Sequence, residues 1–97
     1  MKLTQLRNLR AVADAGSVRQ ASRDLNLSQS AITKSIQMLE AELDTKLLHR
    51  ASHGVSTTAS GEALVARAGI IESELKNARD DIARIEGAFT GDVRVCV

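Results

Sequence analysis

Four polar side chains, at spacings that place them on one side of a helix, carry chemistry suited to DNA: Gln29, Ser30, Thr33 and Lys34. A glutamine amide can form two hydrogen bonds with adenine, and a lysine ammonium can donate to the acceptor atoms of guanine. Serine and threonine hydroxyls can bond to either, and the threonine methyl group can contact thymine. Solvated polar residues line any amphipathic helix, but this combination predicts contact with base edges in the major groove.

A helix over 29–43 would position these side chains. Its inward face is predicted from apolar residues at helical spacing, namely Ile32, Ile36, Leu39 and Leu43. Ser28 is a suitable N-cap for this helix. Asn26 suits the bend before it, because asparagine enters the left-handed region more readily than most residues. Leu27 is predicted to return to the core.

Two shorter helices are predicted before this one, over 4–15 and 18–25, with Gly16 ending the first. Ser17 and Gln20 have the spacing of a capping box, in which each side chain bonds the backbone N–H of the other residue. The predicted inward residues are Leu3, Leu6, Leu9, Val12 and Ala13 in the first helix and Val18, Ala21 and Leu25 in the second, while Arg7, Asn8, Arg10 and Asp14 are predicted to face away. In such a helix-turn-helix, the 18–25 helix braces the 29–43 helix so that it enters the groove N-terminus first.

Two short segments, 47–51 and 54–58, flank a Ser52-His53-Gly54 turn and predict a β-hairpin, which we interpret as a wing. Beyond it, a helix over 59–89 has apolar residues at alternating spacings of four and three, the pattern of a coiled-coil seam. Flanking charges are compatible with parallel and with antiparallel pairing. The residues predicted to form a homodimer are Leu64, Ala68, Ile71, Leu75, Ala78, Ile82, Ile85 and Phe89.

The predicted fold class is therefore mainly α. A winged helix-turn-helix of three helices and a short β-hairpin covers 1–58, and a long linker helix for dimerisation covers 59–89. Over 90–97 the apolar pattern changes to a period of two, with Val93, Val95 and Val97 on one face, as in a β-strand. A lone strand cannot form a sheet, so we interpret this segment as the start of a truncated further domain.

The charges are unevenly distributed along the chain. Residues 1–55 contain eight Lys/Arg and five Asp/Glu, a net charge of +3, whereas residues 56–97 contain five and seven, a net charge of −2. Positive charge thus surrounds the predicted reading helix, where phosphates would require it. Cys96 is the only cysteine, so no intramolecular disulfide can form. With no long apolar run and no signal peptide, these features predict a cytoplasmic protein that does not enter a membrane.

No catalytic or metal site is predicted. His49 and His53 are four residues apart, but the spacing spans the hairpin rather than one helix face, and no acidic or cysteine partner is near. The chain also contains no glycine-rich phosphate loop, nucleophile elbow or clustered acid–base pair, so we do not expect an enzyme.

From residue 3 to about residue 61, the sequence resembles the N-terminal winged helix-turn-helix of bacterial LysR-type transcriptional regulators. The resemblance rests on LTQLRNLRAVADAGSVRQAS at 3–22, LNLSQSAITKSIQMLEAEL at 25–43, LLHR at 47–50 and TTASGEALV at 57–65. The long helix and the GDVRV segment are similar to that family's linker helix and to the first strand of its effector-binding domain. The resemblance therefore extends over essentially the whole chain.

The resemblance implies binding of double-stranded promoter DNA as a dimer, or as a tetramer in a full-length protein, with antiparallel linker helices. It implies no cofactor in this fragment and a small-molecule inducer bound by the missing C-terminal domain. Base reading falls on Gln29, Ser30, Thr33 and Lys34. The implied backbone and wing contacts are Ser17, Arg19, Ser28, Gln37, Arg50 and, at the wing tip near the minor groove, His53.

Three residues depart from the family's usual pattern. Ser30 stands where proline is frequent, and proline would preset the first helical turn. Lys34 stands where arginine is usual, and lysine lacks the two-pronged geometry that favours guanine. Leu9 replaces a common aromatic residue. The first two departures bear on the operator sequence and none on the fold.

One alternative function is a coiled-coil interaction module in which the helix-turn-helix is only a scaffold. DNA binding and coiled-coil interaction differ in how their affinities respond to salt. Because phosphate contacts release counterions, DNA affinity falls steeply with salt concentration, whereas an apolar coiled coil does not respond in that way.

Overall fold

The computed structural model describes the backbone of residues 1–90 and the side chains of residues 1–87. Its elements are α1 (Leu3–Ala15), α2 (Val18–Leu25), α3 (Gln29–Leu43), β1 (Leu48–Ala51), β2 (Gly54–Thr57) and α4 (Ala59–Thr90). The bounds of α2 and α3 match the prediction, and every other element begins and ends within one residue of it. Residues 91–97, which contain most of the strand predicted over 90–97, and the Phe89 side chain lie outside the described residues.

The first three helices pack around a small aliphatic core. Its buried members are Leu6, Leu9, Val12, Ala21, Ile32, Ile36, Leu39, Leu47 and Ala68. The predicted inward faces of α1, α2 and α3 supply seven of these residues, which confirms those faces. Val18, Leu25 and Leu43, predicted to be inward as well, are partly buried against the core. Leu3 and Ala13, also predicted to be inward, are only half-buried and lie outside the core cluster.

The outward prediction for Asn8 is wrong. Its side chain is buried, and its Nδ2 donates a hydrogen bond to the Ser35 hydroxyl at 3.0 Å, which ties α1 to α3. Folded proteins tolerate a buried polar group when it has a hydrogen-bond partner, as Asn8 does here. A helical period assigns polar residues to the outside and cannot anticipate a partner that arrives from another helix.

The prediction that Leu27 returns to the core is also wrong, since 44% of this residue is exposed. The Leu27 N–H donates to the Ser22 carbonyl at 3.0 Å, and the Ser22 hydroxyl donates to the Leu27 carbonyl. These bonds close the end of α2 and fix the Leu27 backbone. Asn26 adopts the left-handed conformation expected of it, with a φ of 56°.

Only half of the predicted capping box forms at α2. The Ser17 hydroxyl accepts a hydrogen bond from the Gln20 backbone N–H at 3.0 Å. The Gln20 side chain does not reach back, because its Nε2 donates instead to the Asp24 carboxylate at 2.9 Å. The other half of the box would need the Gln20 Oε1 to accept from the Ser17 N–H, and the bond to the charged Asp24 side chain holds Gln20 one turn along the helix instead.

The hairpin is fastened to the helix-turn-helix through its second strand. β1 and β2 pair antiparallel, with Arg50 opposite Val55 and Ala51 opposite Gly54. The Val55 N–H donates to the Gly16 carbonyl, in the turn between α1 and α2, at 3.0 Å. This approach requires glycine at position 54, where φ is 142° and a Cβ would lie 2.8 Å from the Gly16 oxygen.

The loop before β1 is held by the start of α4. The Thr58 hydroxyl donates to the Lys46 carbonyl at 2.7 Å and accepts from the Gly61 N–H at 2.9 Å. The Thr58 N–H donates to the Leu47 carbonyl at 3.0 Å. Gly61 is buried so tightly here that a Cβ would lie 2.0 Å from the Leu47 oxygen. We call residues 46–48 the wing root.

The long helix α4 begins against the body of the protein and then leaves it. Ala68 is fully buried in the core of its own chain and Leu64 packs against that core, so these two seam positions make contacts within the chain. An ion pair of 3.0 Å between Arg10 and Glu72 is a further contact between α1 and α4. The later apolar side chains are uncovered: Ile70, Ile71, Leu75, Ile82 and Ile85 are 39–62% exposed.

Candidate nucleic-acid interface

The N-terminal half of α3 presents the predicted base-reading residues on the surface. Gln29, Ser30 and Lys34 are exposed and Thr33 is half-buried. The side chains are directed outward because Ile32, Ile36 and Leu39, at helical spacing on the other face of α3, are buried in the core. The structure therefore places the four side chains where a groove could receive them, and their contacts with bases stay a prediction.

Two of the predicted backbone contacts, Ser17 and Ser28, are helix N-caps. The Ser28 hydroxyl oxygen accepts from the Ala31 N–H at 3.1 Å, as that of Ser17 does from Gln20. Capping uses only an oxygen lone pair, so each hydroxyl hydrogen can still be donated, and for Ser28 the Ser30 hydroxyl oxygen at 3.4 Å is a neighbouring acceptor. The first N–H groups of a helix have no intrahelical partner, and together with the helix dipole they attract anions. Arg19, in the first turn of α2, is exposed.

A cleft of about 330 Å³ separates α3 from the wing. Three predicted contact residues line it: Thr33 and Gln37 on the α3 side and Arg50 on the β1 side. Its other lining residues are Val18, Ile36, Glu40, Lys46, Leu48 and His49. Cationic side chains thus face polar ones across a groove, an arrangement suited to a nucleic-acid backbone.

Sequence reasoning missed two basic residues of this cleft, Lys46 and His49. The sequence patterns described above assign no role to Lys46, and they include His49 only as a rejected metal ligand and as part of the LLHR motif. The available signal was the concentration of basic side chains over 46–50, which a charge count over the whole N-terminal half did not isolate.

The wing tip carries His53, which is exposed and whose Nδ1 lies 3.1 Å from the Ser52 hydroxyl oxygen. His53 does not line the cleft. Its contact near the minor groove stays a prediction. Among residues 1–90, no group of three or more His, Cys, Asp or Glu side chains could hold a metal ion.

Glu40 is a further cleft residue that sequence reasoning did not single out. Its Oε2 accepts hydrogen bonds from the backbone N–H groups of Leu47 and Leu48, at 2.8 and 3.3 Å. The side chain is only 13% exposed, and its Oε1 lies 4.0 Å from the Lys46 ammonium nitrogen. These contacts join α3 to the wing root.

The helix pair, the hairpin wing and the extended last helix define a winged helix-turn-helix protein with a long C-terminal helix. The family described as "Bacterial regulatory helix-turn-helix protein, lysR family" matches residues 3–62. The chain belongs to this family.

Relatives at the sequence level carry names of regulators. The chain is 40% identical over 93 residues to the HTH-type transcriptional regulator TcbR of Pseudomonas sp. (strain P51), covering 96% of this chain and 31% of TcbR. It is 36% identical over 89 residues to the small neutral protease regulatory protein of Streptomyces coelicolor, covering 92% of this chain and 28% of that protein. The chain thus spans less than a third of the length of these relatives.

Several of the solved structures similar to the chain are complexes with DNA. The BenM_DBD/benA site 1 DNA complex matches with a TM-score of 0.83 and 33% identity, covering 88% of this chain and 99% of that one. The CbnR_DBD–DNA complex matches with a TM-score of 0.78 and 38% identity, covering 90% and 99%. No helix within residues 1–90 is long and apolar enough to cross a membrane.

Proposed function

We propose that the chain is the DNA-binding part of a bacterial transcriptional regulator that reads double-stranded promoter DNA in a sequence-specific manner. The observation that carries the proposal is the joint placement of two surfaces around one cleft. The exposed polar face of α3 fits the major groove, and the basic side of β1 lies across the cleft for the adjoining backbone. The DNA complexes of BenM and CbnR, which share this fold, support it.

The proposed regulator acts as a homodimer through α4. One recognition helix contacts few base pairs, whereas two copies at a fixed separation read two half-sites whose free energies add. The support is the uncovered apolar face of α4, since contiguous exposed apolar surface of this kind is a mark of an interaction site. The antiparallel arrangement of the two helices is carried over from the family.

The remaining parts of the proposal concern a longer protein. By its resemblance to the family, we expect a C-terminal domain that binds a small-molecule inducer, and assembly into a dimer or tetramer in the bacterial cytoplasm. Transcriptional control would follow from movement of that domain carried through α4 to the helix-turn-helix. We assign no cofactor to the segment described.

The first test replaces Lys34 by alanine. We expect weaker binding and a relaxed preference at one or two base pairs of each half-site, because Lys34 would donate to a base edge. Loss of one such contact lowers discrimination against the wrong base by about 1–3 kcal/mol. The measurement is the affinity for an operator and for its single-base variants, at one fixed salt concentration.

Arg50→Ala is the matched comparison, since it removes the same charge from the wing rather than from α3. We expect it to weaken binding to all sequences alike. The slope of log affinity against log salt should become shallower by about the amount that one phosphate contact contributes. If neither variant changes DNA affinity, the recognition surface proposed here is wrong.

A further inference from the structure

One acidic side chain, Glu40, is present among the residues that line the cleft between α3 and β1. A negative charge there opposes the attraction of phosphate groups to Lys46, His49 and Arg50. Electrostatics alone would therefore favour a neutral residue at position 40. The role of Glu40 has to lie in contacts that offset this unfavourable charge.

Those contacts are the two hydrogen bonds to the wing root. The Leu47 and Leu48 N–H groups converge on one carboxylate oxygen, and the side chain is largely shielded from water. Hydrogen bonds to an ionised acceptor are the stronger kind, and a partly buried N–H that loses its acceptor is destabilising. The 4.0 Å separation from Lys46, itself 81% exposed, makes that ion pair a minor contribution.

The wing depends on such attachments. A two-stranded hairpin is at best marginally stable alone, so its position is set by what holds it. β2 is held by the Val55–Gly16 bond, and the wing root is held by Thr58 at the start of α4. Glu40 supplies the direct bonds from α3 itself.

We propose that Glu40 is a positioning residue that sets the place of the wing relative to α3, so that Arg50 and Lys34 engage the same DNA. The inference rests on the proposed function and deepens it. Glu40 contacts no DNA in this arrangement. Its carboxylate acts through the backbone of residues 47 and 48.

Two neutral replacements separate this role from the effect of charge. Glu40→Gln and Glu40→Leu remove the same charge at similar size, but only glutamine keeps an acceptor for the wing root. We expect Glu40→Leu to weaken specific DNA binding by about tenfold, with Glu40→Gln between it and the original chain. A Glu40→Leu chain that binds DNA as tightly as the original, or more tightly, overturns the proposal.

Glu42 supplies the matched control on the same helix. Its carboxylate pairs with the Met1 amino group at 2.7 Å, at an exposed position away from the wing. Glu42→Leu and Glu42→Gln lose the same charge, so we expect both to bind DNA with unchanged or slightly higher affinity. Equal weakening by the Glu40 and Glu42 replacements would contradict a special role for Glu40.

Double-mutant cycles distinguish positioning from general destabilisation. In the Glu40→Leu chain the wing is displaced, so Arg50 contributes less to binding. The fold loss of affinity caused by Arg50→Ala should therefore be less than half of the fold loss that it causes in the original chain. Adding Lys34→Ala should weaken binding as much as before, because α3 is intact. Additive effects of Glu40→Leu and Arg50→Ala would overturn the proposal.

Hydrogen exchange of the free chain provides a readout that does not depend on DNA. We expect faster exchange at the Leu47 and Leu48 N–H groups in Glu40→Leu, and unchanged exchange there in Glu42→Leu. Unchanged exchange in Glu40→Leu would overturn the positioning role. If exchange increases as expected while the original chain has no preference for any DNA sequence, the attachment of the wing stands and the proposed function fails.

Discussion

Replacing Leu75 by lysine is expected to give a monomeric chain whose affinity for DNA with two half-sites is lower by about a hundredfold or more. Leu75 is at the middle of the apolar face of α4 and is 39% exposed in the single chain. In a dimer this position would be desolvated, and an unpaired ammonium there is strongly unfavourable. Sedimentation gives the oligomeric state, and binding to one-half-site and two-half-site DNA gives the affinity.

Ser73→Lys is the control for this change. It adds the same charge to α4 only two residues away, at an exposed position outside the seam. We expect Ser73→Lys to remain dimeric and to retain its affinity. A Leu75→Lys chain that sediments as an unchanged dimer would remove the seam from the proposed mechanism.

Replacing Gly61 by alanine is expected to lower the free energy of unfolding by about 3 kcal/mol, the upper part of the usual range for overpacking. The new Cβ would lie 2.0 Å from the Leu47 carbonyl oxygen and 2.9 Å from its carbon. Both are backbone atoms, so no side chain can move aside to relieve the clash. α4 has to shift away from the wing root, which also disturbs the Thr58 bonds. Urea denaturation monitored by circular dichroism measures the change.

Gly87→Ala in the same helix should change the free energy of unfolding in the opposite direction. A Cβ at Gly87 would meet nothing within 4 Å, so the replacement only improves helix propensity. We expect the free energy of unfolding to rise by up to about 1 kcal/mol. Should Gly61→Ala unfold at the same urea concentration as the original chain, the close contact between α4 and the wing root would be refuted.

The positions of the helices followed from local signals in the sequence. The apolar period of α3 and the N-cap at Ser28 predicted both its bounds and its buried face, because both depend on residues within a few turns. Likewise, the Ser17 N-cap and the left-handed Asn26 correctly predicted where α2 begins and ends. The same signals placed Gln29, Ser30 and Lys34 on the exposed side of the recognition helix.

Contacts between elements were not predictable in this way. The Asn8–Ser35 bond joins residues 27 apart, and the Glu40 bonds to the wing root span seven and eight residues with a helix end between them. Nothing in the sequence around Gly61 shows which backbone lies against it. The seam of α4 illustrates the same limit, since one unbroken period includes Ala68, buried in its own chain, and Leu75, which is uncovered.

The most direct test of the central proposal is selection of bound sequences from a random pool of double-stranded DNA. A dimeric reader is expected to enrich a two-fold symmetric motif with one fixed spacing between its half-sites. The affinity for that motif should fall steeply as salt concentration rises. A pool with no enriched sequence, or binding that does not respond to salt, would contradict recognition of DNA by α3 and the wing.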